Sequence, residues 1–290
     1  MSFFFTSLTL ALAFTGLGFG VFFSMKIFNI PDITTDGSYT LGGSLAAILL
    51  TNNINPWIAL VLCLFAGFMA GCLTGIIYTR LKVNPILAGI LVMTSLYSIN
   101  LKAMERSNIA LIDTPLIFDS FPFGLSQFSA PFAWLAMMVV LVLVGIYYLL
   151  RTDFGIVMRA AGSSEKMVRA NGVNSLNIKT IGLGLANALT ALSGFLVTQV
   201  QGFADINMGV GIIISGLGSV IIGETLYGFT QSSNLLLRLA FIIVGTILFR
   251  LILAFVLSQG IDPVWLKLTM SGIVLAIVAL PGKKSGQGLG

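Results

Sequence analysis

Charge is what this sequence of 290 residues has least of: Asp, Glu, Lys and Arg together make up 9%. A soluble domain usually carries about 25%, so there is too little polar surface here to cover a water-soluble globule. That excludes a soluble enzyme, a secreted scaffold, a disordered chain and a nucleic-acid-binding domain. Histidine is absent altogether, which removes His-based catalysis and His metal ligands; no cofactor or metal site is expected. The two cysteines, Cys63 and Cys72, lie in one apolar run, ~13 Å apart along a helix and about half a turn out of phase. They cannot bridge each other and read as packing residues. A phosphate-cradling loop is also missing: the Gly282-Lys283 pair sits in PGKKSG without the upstream glycine or the strand-to-helix context. The first residues, MSFFFTSLTL, lack the basic n-region of a signal peptide and read as a retained first span. What is present is apolar: 57% of residues are hydrophobic and the mean hydropathy is +1.03. The expectation is an all-α, polytopic membrane protein with lipid as its solvent.

Nine apolar stretches have roughly the length of a span: 3–25, 38–52, 56–78, 85–101, 131–150, 179–200, 208–223, 235–257 and 264–280. The second is short and the seventh Gly-rich, leaving open whether 208–223 crosses or re-enters. Orientation follows from the basic residues. With the loop at 151–178 inside, Lys26, Arg80, Lys82, Arg151, Arg159, Lys166, Arg169, Lys179, Arg238, Lys283 and Lys284 are cytoplasmic. Lys102, Arg106 and Lys267 fall outside, and Arg250 lies within a span. Nine crossings then put the N-terminus outside and the C-terminus in the cytoplasm. The net charge of +5 needs no acidic partner to explain it.

The chain also repeats itself. NIPDITTDGSYTLGGSLAAIL (29–49) resembles GFADINMGVGIIISGLGSVII (202–222), with Asp32-Ile33 matching Asp205-Ile206. The same offset pairs the first span with the sixth and the third with the eighth. An odd number of crossings separates the pairs, so the halves, about 1–101 and 179–280, would insert with opposite topology within a single domain, 1–290. The span at 131–150 and the loop at 151–178 join them. Inverted repeats with short, Gly-interrupted segments are a transporter architecture, and those segments point to the translocation site; the other explanation is chance likeness between apolar segments. Ionisable groups in spans default to functional hypotheses. Asp32, Asp36 and Asp205, with Thr34, Ser38 and Asn207 beside them, are the candidate substrate pathway; the plainer role for an Asp there is to cap a helix start. Glu224 would pair with Arg238 or sit at the interface. Arg250 would snorkel outward, pair with an acid such as Asp205, or meet an anionic solute. Thr94, Ser95, Asn100, Asn187, Thr190, Ser193 and Gln199 could line the path or join helices.

The long inside loop, RTDFGIVMRAAGSSEKMVRANGVNSLNIK (151–179), holds SEKMVRANG, with Ser164 placed to cap a helix of two or three turns and Gly172 to end it. Met167 and Val168 give it an apolar edge; Glu165, Lys166 and Arg169 a charged one. Such a helix outside the bilayer suits a groove on a partner protein, though an ordinary solvated connector has the same composition.

Phe154-Gly155, Arg159-Ala160-Ala161-Gly162 and Ala170-Asn171-Gly172-Val173-Asn174 resemble the cytoplasmic loop of permease subunits of ATP-binding-cassette importers, in the branched-chain amino acid and ribose permease family. The likeness covers nearly the whole chain. FNIPDITTDGSYTLGG, LAGILVMTSLYSINL, QGFADINMGVG and VIIGETLYG are similar to the subgroup described as tryptophan/tyrosine importers; the sugar-type Gly-Gly-Ile-Asp-Leu-Ser loop is replaced by Asn29-Ile30-Pro31-Asp32-Ile33-Thr34. The resemblance implies a coupling helix that docks on a separate ATPase subunit, with Arg159, Gly162, Ser164, Glu165, Lys166, Met167, Arg169, Ala170 and Gly172 as the coupling residues. It implies a second permease copy in a homodimer, two ATPase copies that bind the ATP, and an extracytoplasmic solute-binding protein that delivers a small organic solute, an aromatic amino acid. The chain itself is then not an enzyme. An ion-coupled secondary transporter, with Asp32, Asp205 and Glu224 as coupling sites, is the alternative. A membrane-embedded enzyme is disfavoured by the missing His and the lack of a clustered acid pair.

Overall fold

A computed structural model describes residues 2–120, 129–260 and 265–279, and it is helical almost throughout. Several helices start on a shared local signal. Asn55 and Asn84 each precede a proline, and their side chains accept from Trp57 N (2.9 Å) and Ile86 N (3.0 Å). These caps open α4 (Pro56–Thr79) and α5 (Pro85–Met104), with Pro at the position where its missing N–H costs nothing. Asn174 and Asn234 cap α9 (Ser175–Gln201) and α11 (Leu235–Ser258) in the same way. The other long helices are α1 (Ser2–Ala13) continuing into α2 (Thr15–Phe22), α3 (Thr34–Thr51), α6 (Ser129–Arg151) and α10 (Ile212–Phe229), with α12 at Leu266–Ala279. A π turn over Phe23–Ile27 ends α2.

α9 is the centre of the bundle. It is buried along most of its length and packs against α2, α3 and α4. Small residues let the backbones close up: a Cβ at Gly67, Gly71 or Gly75 of α4 would run into α9 at Asn187, Leu183 and Thr180. Without a hydrophobic force between helices in lipid, such close packing holds a bundle together. α4, α5, α6, α10 and α11 instead leave broad apolar faces exposed, including Val61, Phe65, Leu87, Val140 and Phe255.

Among the described residues, seven helices are long and apolar enough to cross a membrane: Phe4–Ile27, Pro56–Thr79, Pro85–Met104, Ala130–Arg151, Ser175–Gln201, Ile212–Phe229 and Leu235–Ser258. The nine expected spans are therefore not all found among the described residues. The expected span at 38–52 is α3, which has the length but carries Thr34, Thr35, Asp36, Ser38, Thr40 and Ser44, all buried. Its polar groups face protein rather than lipid. The expected span at 264–280 is described as 14 residues; residues 261–264 and 280–290, with Lys283 and Lys284, lie outside the described residues. The segment expected at 208–223 begins as helix only at Ile212 and runs to Phe229, and α9 starts four residues earlier than expected. The chain also holds a small sheet: β1 (Asn108–Ala110) pairs antiparallel with β2 (Phe203–Asp205), Ile109 opposite Ala204.

The loop at 151–178 holds two helices, not one. α7 (Asp153–Ser163) is capped by Thr152, whose Oγ1 accepts from Gly155 N, and buries Gly155, Met158 and Ala161. α8 (Glu165–Ala170) follows after Ser164. It has six residues, shorter than the expected two or three turns, and Gly172 at φ 78° carries the chain out.

Candidate functional site

Two places concentrate the polar chemistry. The first is where the chain breaks inside the bundle. After the π turn, residues 28–33 run without helix up to α3. Asp32, 1% exposed, closes the turn: its Oδ1 accepts from Thr34 N at 2.9 Å. Its Oδ2 accepts from Asn187 Nδ2 of α9 at 2.7 Å, and Ser38 Oγ donates to Asn187 Oδ1 at 2.7 Å. Thr34 Oγ1 and Thr74 Oγ1 of α4 are 2.7 Å apart and share a hydrogen bond. Asn187 lies ~18 Å from the start of α9, about halfway along a helix ~40 Å long, so this network sits deep in the bundle.

The second break, 202–211, brings a helix start to the same region. α10 has no cap from its own chain neighbours. Asp36, in the first turn of α3, supplies it: Oδ2 accepts from Gly211 N at 2.8 Å and Oδ1 from Ile213 N at 2.9 Å. Gly211, at φ 80°, takes a backbone conformation that suits glycine. The negative carboxylate against a helix N-terminus is electrostatically favourable as well. Asp205 is only partly buried and lies at the end of β2. Its Oδ1 accepts from Asn207 N at 2.8 Å, the same turn that Asp32 makes. Thus Asp32, Thr34 and Ser38 share one network with Asn187 and Thr74, Asp36 turns instead to the start of α10, and Asp205 and the exposed Asn207 stand apart. Sequence reasoning missed Thr74 and placed Asn187 only among general polar positions; a Thr or Asn deep in an apolar run is the sole trace either leaves.

The second place is the base of α9. Glu165 of α8 accepts from Lys179 Nζ at 2.5 Å, from Ser175 Oγ at 3.2 Å and from Arg169 Nη2 at 2.5 Å. Hydrogen bonding to the Lys179 ammonium holds the Glu165 carboxyl below its ordinary value of 4.5, against some burial; Ser175 and the Arg169 charge act in the same direction. Lys179 also lies 5.5 Å over the Tyr78 ring of α4. α8 is thereby tied to the two helices of the central seam. Val168 packs inward, while Lys166, Met167, Arg169 and Ala170 are exposed, Met167 at 61%. The expected apolar edge of Met167 and Val168 is therefore divided between partner-free surface and core. Arg159 donates to Leu150 O at 3.1 Å, bracing the end of α6. Gly162 lies against the Ile27 carbonyl, and Asn29 Nδ2 donates to Gly162 O at 3.3 Å. These two fix α7 to its neighbours.

Glu224 and Arg238 form a two-pronged pair at 2.6 and 2.8 Å. Arg250 forms no ion pair among the described residues; its guanidinium stacks 3.1 Å from the Phe14 ring centroid. No group of His, Cys, Asp and Glu among the described residues could hold a metal ion.

A helical bundle with a broken, polar centre and an exposed short helix matches one family model, that of the permease component of branched-chain amino acid transport systems, over residues 3–279. The chain belongs to this family. It is a permease component of transport systems, not an enzyme. The permease is 35% identical to a tyrosine transport system permease protein of Clostridioides difficile over 272 residues, 94% of this chain and 89% of that one. It is 32% identical to an uncharacterized protein of Rickettsia prowazekii over 274 residues, 94% and 95% of the two chains. It is 25% identical to the ribose import permease protein of Escherichia coli (strain K12) over 251 residues, 86% and 74%. No solved structure matches the permease.

Proposed function

We propose that the permease is the membrane subunit of an ATP-driven importer of an aromatic amino acid. The observation that carries this is the clasp at Glu165. It anchors α8 through Lys179 to the base of α9, and α9 carries Asn187, the hydrogen-bond partner of Asp32 and Ser38 at the broken segment. A push on the exposed face of α8 would therefore reach the polar centre along one packed helix. ATP is bound and hydrolysed by a separate subunit, two copies of which dock below two copies of the permease. The docking residues are Lys166, Met167, Arg169 and Ala170, with Ser164, Glu165 and Gly172 shaping α8 and Arg159 and Gly162 seating α7. A solute-binding protein delivers the solute from outside to a pathway beside Asp32, Thr34, Asp36, Ser38, Asp205 and Asn207.

The chain resides in a bacterial cytoplasmic membrane with α8 in the cytoplasm and the N-terminus outside, as the basic residues around α8 support. Its halves are inverted repeats about 1–101 and 179–280; the matching turns at Asp32 and Asp205 support the pairing. The similarity to a tyrosine transport permease supports the solute class. The test is to co-express the permease with its ATPase and purify by a tag on the permease. A stable complex whose ATP hydrolysis rises with the loaded binding protein supports the reading. A permease that purifies alone and transports under an ion gradient refutes it.

A further inference from the structure

Asn100 lies on α5, one turn before its end, and is 1% exposed. Neither its Oδ1 nor its Nδ2 has a hydrogen-bond partner among the described residues. Buried amide groups nearly always have partners, so an orphaned one calls for an unseen ligand or water. Beside it is a void with about 20 Å³ for the centres of water-sized groups, bordered by Asp36, Thr40, Met93, Tyr97 and Gly209. Such a space admits one small polar group.

The chemistry around the void has a sign. Asp36 is 5% exposed and each of its oxygens accepts one backbone N–H, leaving further acceptor capacity on both. No Lys or Arg forms an ion pair with it among the described residues. Asn100 adds an amide oxygen, and the exposed Tyr97 borders the same space. Lys267 acts on Asp36 through space without pairing with it; acceptors, a carboxylate and an aromatic face that no cation pairs with among the described residues suit a protonated primary amine. The void admits the ammonium alone, and Asn100 Oδ1 is the unpartnered acceptor it would meet there.

We propose that Asn100 and Asp36 form the subsite for the ammonium group of the transported amino acid. This rests on the importer reading above and adds the residues that recognise the solute's head. The test begins with the wild-type permease purified in detergent, using tyramine and 3-(4-hydroxyphenyl)propionate as probes. The two share a phenol ring and differ in carrying an amine or a carboxylate. Tyramine should raise the thermal unfolding midpoint, and the propionate should not. Asn100→Leu should lose the response to tyramine, and Asn100→Asp should keep it. In vesicles holding the whole complex, Asn100→Leu should raise half-saturating tyrosine about tenfold, the scale of one lost charge-assisted hydrogen bond. An equal response to both probes, no response to tyramine, or an unchanged response in Asn100→Leu would overturn the proposal. The importer reading fails separately, if the wild-type complex shows no ATP hydrolysis dependent on the binding protein. The response to tyramine by the permease alone would still stand.

Discussion

The two breaks in the bundle share a turn and differ in everything around it. Asp32 and Asp205 each accept a hydrogen bond from the backbone N–H two residues on, at 2.9 and 2.8 Å. At the first break the second carboxylate oxygen is held by Asn187, deep against α9. At the second the Asp sits on a small sheet near the surface, and the helix that follows is capped from the other half of the chain, by Asp36. Local chemistry thus makes the same turn twice, while depth decides what each turn does. The first break is fastened to the central helix. The second depends on the first for its helix start.

Breaking the deep turn should have the largest effect. Asp32→Ala leaves Thr34 N and one of the two Asn187 Nδ2 hydrogens without an acceptor, the other keeping Leu183 O, at about 1–3 kcal/mol for a buried orphan. Asp205→Ala removes one partly exposed turn bond, worth about 1 kcal/mol. Thermal unfolding in detergent and solute uptake should both fall much further for Asp32→Ala. Equal losses would erase the distinction between the breaks.

The seam that fastens the first break comes next. Gly71→Ala drives a Cβ into the Leu183 carbonyl of α9 and should cost about 1–3 kcal/mol by overpacking. Gly272 in α12 has nothing within 4 Å of an added Cβ, so Gly272→Ala should leave the unfolding midpoint unchanged. If the two glycines respond alike, the seam does not hold the centre.

At the far end of α9, Glu165→Gln should weaken the hold on both Lys179 and Arg169, whereas Arg169→Gln removes only a partner whose side chain is 55% exposed. Exposed pairs contribute about 0.2–1 kcal/mol. Pull-down of the ATPase should therefore weaken more for Glu165→Gln, and a larger effect of Arg169→Gln would show that the clasp contributes less to docking than the arginine's own contact. The smallest effect is that of pH. Because the Glu165 carboxyl is held below 4.5 by Lys179, the clasp is fully present above that value. It is lost only as pH falls below it through the lowered one. Hydrogen exchange at 165–170 should stay constant from neutral pH to about 5 and, corrected for intrinsic rate, rise below 4. A rise near pH 6 would contradict the lowered carboxyl.

Much of this was legible in residue order. Low charge and long apolar runs dictate a membrane bundle, and the runs at 56–78 and 85–101 fall on α4 and α5. Ser164 and Gly172 mark the ends of α8. Two things were not. α3 reads as a lipid-facing span because apolar content cannot tell a helix buried in protein from one buried in lipid; Thr34 and Ser38 are matched by partners far along the chain. Asp36 reads as a pathway residue or a helix cap, but which helix it caps stays hidden because its partners, Gly211 N and Ile213 N, are backbone groups that leave no mark in the side-chain sequence. α7 was overlooked for a different reason: its Thr152 cap and its buried Gly155, Met158 and Ala161 are a weak pattern beside the stronger Ser164 signal.

The most direct test of the whole account is solute accumulation in sealed vesicles containing the permease, with and without its ATPase partner. With the partner, ATP and loaded binding protein, tyrosine should accumulate; with the permease alone, none should, whatever ion gradient is imposed. Accumulation by the permease alone would contradict the account.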